Sequence, residues 1–130
     1  MRDDLDIALV RDFPNLYRMR NASMQETCMC WGFECCDGWE PLIRKLSEKL
    51  EKMILEVPEA DRGSFCAAQV KQKFGTLRFY MDSETDEMSK AIQEAEEESA
   101  TICEVCGKPG ESRNRGSWLY TSCQQHKMED

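Results

Sequence analysis

Apolar positions change their period along this chain, and each change marks an element. Leu42, Ile43, Leu46, Leu50, Met53 and Ile54 recur at three and four residues. That spacing predicts an amphipathic helix over about 40–57, opened by Pro41 and closed by Pro58. Met88, Ile92, Ala95 and Ser99, with Ala91 beside them, predict a second helix over about 84–101. Between the two the period drops to two, and residues at about 65–81 read as a β-hairpin. Gly75-Thr76 fits a two-residue turn with glycine first. In that register Phe74 faces Leu77, Gln72 faces Phe79 and Val70 faces Met81, which makes one mostly apolar face. The other face sets Lys73 opposite Arg78 and Lys71 opposite Tyr80.

The first forty residues are less regular. A short helix fits residues 1–20, broken near Pro14. The stretch 24–40 crowds Cys28, Cys30, Trp31, Cys35, Cys36 and Trp39 together without helical spacing. It reads as a strand or tight loop near 26–34, followed by a turn at Asp37-Gly38. The pattern therefore predicts an α+β body over residues 1–101, with a two- or three-stranded antiparallel sheet packed by two main helices.

Residues 102–130 carry the clearest chemistry. Cys103 and Cys106 form a C-x2-C pair, Cys123 and His126 a C-x2-H pair, and sixteen residues separate the pairs. Two such pairs, brought together by one hairpin, can close a tetrahedral zinc site. Glycine at 107 suits the tight turn after the second cysteine. Arg113 to Gly116 reads as a turn, Ser117 to Thr121 as a strand, and Cys123 to Asp130 as a brief helix with both its ligands on one face. Knuckle, hairpin and ligands from a short helix make a treble-clef-like module, with a zinc ribbon as the neighbouring alternative. It follows the second helix without a flexible linker, which predicts a module packed on the body. Four protein ligands saturate zinc, so its role would be structural.

His126 is the only histidine. If a metal holds it, chemistry that needs a free imidazole is excluded. The His-x-Glu of zinc deaminases and the H-E-x-x-H of metalloproteases are absent from the sequence. Carboxylates near the tryptophans (Glu26, Glu34, Asp37, Glu40) are the remaining candidates for catalysis. Cys28, Cys30, Cys35 and Cys36, with Cys66, read either as buried thiols or as a second metal site.

Charge sharpens the functional reading. The chain has 130 residues and a net charge of -8. Residues 82–98 hold eight acids and one lysine, so the rest of the chain is close to neutral. Four bases and no acid lie from Arg62 to Met81, and four bases against one acid lie over 105–127. Nonspecific DNA binding is disfavoured by the negative total. The basic hairpin face still offers an anion site, with Lys71, Lys73 and Arg78 as cations and Tyr80, Trp31 or Trp39 as stacking groups. No apolar run approaches a membrane span, and the acidic start does not read as a signal peptide. A cytoplasmic setting is expected.

The chain resembles a family of small uncharacterised bacteriophage and prophage proteins with a C-terminal Cys-Cys-Cys-His zinc-finger module. The resemblance rests on Met29-Cys30-Trp31-Gly32-Phe33-Glu34-Cys35, Asp37-Gly38-Trp39, Gln69 through Tyr80, and Cys103-Glu104-Val105-Cys106-Gly107-Lys108-Pro109-Gly110. It implies a phage or prophage origin and a host-cell cytoplasm, and it implies no activity. The expectation is a non-enzymatic protein that engages a host protein or a small anionic ligand. The alternative is a sponge for cyclic or phosphorylated nucleotides at the basic, aromatic hairpin face.

Overall fold

The computed structural model describes residues 1–129. Its elements, in chain order, are α1 (Asp3–Asp12), β1 (Phe33–Glu34), α2 (Glu40–Glu56), β2 (Ala67–Lys73), β3 (Thr76–Met81), α3 (Asp86–Ser99), β4 (Glu111–Arg115) and β5 (Trp118–Ser122). Short 3-10 turns lie at Cys28–Trp31, Asp37–Trp39, Glu59–Ser64 and Gln124–His126. The fold is α+β, with a three-stranded sheet β1-β2-β3 and a separate two-stranded sheet β4-β5. Among the described residues no helix is long and apolar enough to cross a membrane.

The larger sheet differs from the expected all-antiparallel one. β1 lies parallel to β2, with Phe33 beside Val70 and Glu34 beside Lys71. Parallel neighbours need a crossover, and α2 supplies it between β1 and β2. Of the strand or tight loop expected near 26–34, the structure forms a 3-10 turn at Cys28–Trp31 that leads into β1.

The β2–β3 hairpin turns one residue earlier than its sequence suggests. Lys73 pairs with Thr76, so Phe74 and Gly75 form the tip. Both have positive φ, 54° and 84°. Such a turn matches the twist of the flanking strands, whereas glycine alone at the first position would suit a different type. Phe74 leaves the core face and stands 67% exposed. Moving the turn by one residue moves every partner by two, so the two faces survive. Val70 now faces Phe79, Gln72 faces Leu77, and Lys71 faces Arg78. Tyr80 faces Gln69 rather than Lys71.

Gly75 has a further reason to be glycine. A Cβ there would lie 2.9 Å from the Tyr120 amide nitrogen. The tip of the first hairpin thus rests on the backbone of the second.

The core joins α1, the turn after it, α2, α3 and the inner face of the three-stranded sheet. Leu9, Leu16, Ile43, Leu50, Val70, Leu77 and Met88 are fully buried there. Tyr17 is buried with its hydroxyl 2.6 Å from the Ser47 hydroxyl, so its polar end is satisfied. Glu51, on α2, accepts hydrogen bonds from the Asn15 and Leu16 amides and closes the turn after α1.

α3 seals the open edge of β3. Ser99 Oγ accepts the Leu77 N–H at 2.9 Å, and Glu96 Oε2 accepts the Phe79 N–H at 2.9 Å. Thr85 caps the start of α3 by accepting the Met88 N–H.

The helix expected from Cys123 onward is a single 3-10 turn, Gln124–His126. Lys127 follows it in extended conformation. The last residue of the expected helix, Asp130, lies outside the described residues.

Candidate metal centre

Two elements of the C-terminal segment bring the ligands together. The first is a knuckle, residues 103–107. The Gly107 N–H bonds to the Cys103 carbonyl at 2.9 Å, and the Cys103 N–H bonds to the Lys108 carbonyl at 2.8 Å. Gly107 has φ 81°, a conformation that glycine adopts without steric cost. The second is the β4–β5 hairpin, which turns at Gly116-Ser117 and delivers Cys123 directly after β5. The 3-10 turn then carries His126 back over the knuckle.

The four ligand atoms all lie within 4.8 Å of one another. His126 Nδ1 stands 3.3 Å from Cys123 Sγ and 3.7 Å from Cys103 Sγ. Cys106 Sγ is 3.7 Å from Cys123 Sγ. In a tetrahedron with ordinary zinc bond lengths, the S···S edge is about 3.8 Å and the S···N edge about 3.5 Å. These three spacings fit those edges, and the remaining three lie within 4.8 Å. Among the described residues no other group of His, Cys, Asp and Glu converges in this way.

Local electrostatics favour the thiolate at Cys103 and Cys123; at Cys106 the Lys108 amide also favours it, but burial and the neighbouring Cys103 and Cys123 sulfurs outweigh that and raise the thiol. Burial pushes the Cys103 thiol up, but backbone amides of Cys123, Cys106 and Val105 outweigh it and lower its pKa. Burial also opposes ionisation of Cys123, yet the neighbouring His126 ring and amide, with Cys106 and Cys103, bring it down to about 6. Amides aimed at the sulfurs are the expected outer support of a thiolate metal site.

The Asp37–Trp39 turn is the seat of this centre, a role its sequence did not announce. The Gly38 N–H donates to the Glu104 carbonyl at 2.7 Å. A Cβ on Gly38 would run into the carbonyl oxygens of Cys103 and Glu104. Trp39 donates from Nε1 to the Ile102 carbonyl at 2.9 Å. Glu104 in turn accepts the Cys36 N–H, and its own N–H bonds to the Thr121 carbonyl. Thr121 Oγ1 donates to the Gly75 carbonyl at 2.6 Å. The knuckle, the hairpin and the body are joined by these bonds at both ends. The only hint in the sequence was the turn-forming Asp37-Gly38 pair.

The expected ligand-binding residues are only partly brought together. Lys71, Lys73, Arg78 and Tyr80 share the outer face of the β2–β3 hairpin. Lys71, Lys73 and Arg78 enter no ion pair among the described residues. The face is not purely basic, however, because Glu34 sits beside Lys71 and accepts from Gln69. Trp31 is 63% exposed. Trp39 is 0% exposed and cannot stack on a ligand; its ring is core and its N–H holds the knuckle.

The carboxylates near the tryptophans are engaged separately. Asp37 accepts the Arg2 amide and faces the Arg2 guanidinium, and Glu40 pairs with Arg44. Glu34 bonds Gln69, while Glu26 is exposed.

The remaining cysteines split by environment. Cys35 and Cys66 are buried, Cys30 is half-buried, and Cys28 and Cys36 are exposed. Burial raises the Cys35 thiol to about 12 and the Cys66 thiol to about 11, so both stay protonated at neutral pH. None of the five belongs to a converging ligand set among the described residues.

No protein-family model, curated protein or solved structure matches the chain.

Proposed function

We propose that the chain is a non-catalytic binding protein, stapled by one structural zinc ion, whose partner is a protein. Cys103, Cys106, Cys123 and His126 would hold the metal. Zinc would supply cross-linking between knuckle and hairpin and, with all four positions filled by protein, no open site for water. The convergence of these four atoms within 4.8 Å, which uses the sole imidazole, is the observation that carries this reading. Knuckle, hairpin and ligand-bearing turn follow in treble-clef order, with a 3-10 turn where that arrangement has a helix. The separate engagement of Asp37, Glu40 and Glu34 supports the absence of catalysis. The resemblance of the quoted motifs supports a phage or prophage accessory role in a host-cell cytoplasm.

A second reading, an anion or nucleotide sponge, draws on the unpaired Lys71, Lys73 and Arg78 beside Tyr80. Burial of Trp39 and the presence of Glu34 on that face weigh against it. Native mass spectrometry of the purified chain tests the first reading. One zinc per chain, released on chelation, is the expected result. A folded chain that retains no zinc overturns it. Thermal shifts with cyclic and linear nucleotides, abolished by Arg78→Ala, would move the assignment to the sponge.

A further inference from the structure

We propose that the free edge of β4 pairs with the same edge of a second copy, joining two hairpins into one four-stranded antiparallel sheet. The occupant is this chain itself, so the pairing goes beyond the binding-protein reading and does not depend on it.

The edge is open and regular. β4 pairs with β5 from Glu111↔Ser122 to Arg115↔Trp118, around the two-residue turn Gly116-Ser117. In such a hairpin the pair next to the turn exchanges main-chain hydrogen bonds, and every second pair after it does the same. Glu111, Arg113 and Arg115 therefore turn their amides and carbonyls toward β5, while Ser112 and Asn114 turn theirs outward. Gly110 agrees with this phase: two residues before Ser112, it sends its N–H outward to the Thr101 carbonyl at 2.8 Å. That cover stops at Gly110. Ser112 and Asn114 are exposed, and among the described residues their main-chain groups have no partner outside the hairpin. An uncovered strand edge of this kind is a template for another strand.

The residues on the edge select a second copy. A two-fold axis through Arg113 sets Ser112 against the partner's Asn114 and Asn114 against the partner's Ser112, so every outward main-chain group bonds. The same axis sets Glu111 opposite the partner's Arg115, and Arg115 opposite the partner's Glu111, which matches charge at both ends. Glu111 and Arg115 are exposed, and neither enters an ion pair among the described residues. Arg113 lies on the axis, where like charges would meet. Its guanidinium is instead drawn back across its own hairpin, with Nε donating to the Ser122 carbonyl at 3.3 Å and to Ser122 Oγ at 3.1 Å. Neighbouring registers lose the match. An axis through Asn114 sets Arg113 against the partner's Arg115, and one through Ser112 needs the Gly110 edge that Thr101 already holds. The strand leaves the edge at Gly116, where a Cβ would meet no atom within 4 Å. An unrelated strand would find the same amides without the matched charges. The contact is small, so the pairing is weak. Each copy carries a net charge of -8, but at physiological salt the Debye length of about 8 Å screens remote acids more than touching pairs.

Sedimentation velocity of the full chain, supplied with zinc, tests this over about 5 µM to about 500 µM. A reversible monomer–dimer equilibrium is expected, with Kd between about 10 µM and about 1 mM. Glu111→Arg alone and Arg115→Glu alone each set like charges opposite one another and should weaken pairing by about tenfold or more. An equimolar mixture of these two variants restores both matches and should dimerise as the parent does. Asn114→Pro removes an outward N–H while sparing the hairpin's own bonds, and should abolish the dimer. Circular dichroism and zinc content of the variants should match the parent, and the charge variants serve if Asn114→Pro is unfolded. A chain that stays monomeric throughout overturns the proposal. So does a dimer indifferent to both charge reversals, or a mixture that pairs no better than either variant alone. A zinc-bound monomer refutes the edge pairing and leaves the binding-protein reading standing, whereas a folded chain without zinc refutes that reading whatever its oligomeric state.

Discussion

The two hairpins are built on opposite principles. β2–β3 buries Val70, Leu77 and Phe79 against the helices, and α3 covers its free edge. In β4–β5, by contrast, β4 has no fully buried residue, and β5 buries only Tyr120, Thr121 and Ser122. The first hairpin is held by apolar area removed from water. The second has too little of that area to fold alone; a few bonds tie it to the body, and a metal on Cys103, Cys106, Cys123 and His126 would close it. With a metal held there, one chain would carry a metal-independent scaffold and a metal-dependent attachment, and the two should fail separately.

Metal removal should expose the difference most strongly. Structural zinc contributes on the order of 10–16 kcal/mol of binding free energy in small modules. Chelation, or Cys123→Ser, is expected to abolish amide-exchange protection over residues 111–122 while β2, β3, α2 and α3 keep theirs. Uniform loss across the chain would show that the scaffold also depends on the metal.

Phe79→Ala strikes the other side. Emptying this core position should cost about 3–5 kcal/mol in urea unfolding and leave zinc stoichiometry unchanged in the folded fraction. Equal weakening of zinc affinity would mean that the hairpins are energetically one unit.

Gly38→Ala probes the seam. Its Cβ would press on the carbonyls of Cys103 and Glu104, so the knuckle must shift. A destabilisation of roughly 1–3 kcal/mol is expected, with weaker zinc retention in a competitive chelator titration. A neutral effect would mean that the knuckle is seated by Trp39 and Glu104 alone.

The smallest effect should be alkaline. Cys35 and Cys66 have folded pKa values raised by burial to about 12 and about 11, from 9.0. The folded state therefore holds these protons more tightly than the unfolded chain. Their contribution is complete below about pH 9 and is lost as pH rises through the folded values. Melting temperature should fall between pH 9 and 11 and fall less in Cys35→Ala, measured on the chelated scaffold. An identical slope in the variant would remove Cys35 from the account.

Much of this comparison was legible in the residues. The helical spacing of Leu42 to Ile54 and of Met88 to Ser99 yields α2 and α3 within two residues at each end. The C-x2-C and C-x2-H spacing picks out the four side chains that converge, because that pairing is local. The faces of the first hairpin were legible, since alternation fixes them. Its register was not, because both Phe74-Gly75 and Gly75-Thr76 offer a glycine, and the close approach of Gly75 to the Leu119–Tyr120 backbone is not visible in the local pattern. The parallel strand β1 was hidden too. Two residues give no period, and its partner Val70 lies far along the chain. Trp39 read as a possible ligand platform because composition cannot tell a buried indole from an exposed one.

The cover that α3 places over β3 bears on behaviour at high concentration. Leu77 and Phe79 have already spent their outward amides on Ser99 and Glu96. A neighbouring molecule finds no free ladder there to extend, so this border resists polymerisation into a continuous cross-chain sheet. Replacing either helix residue would reopen it.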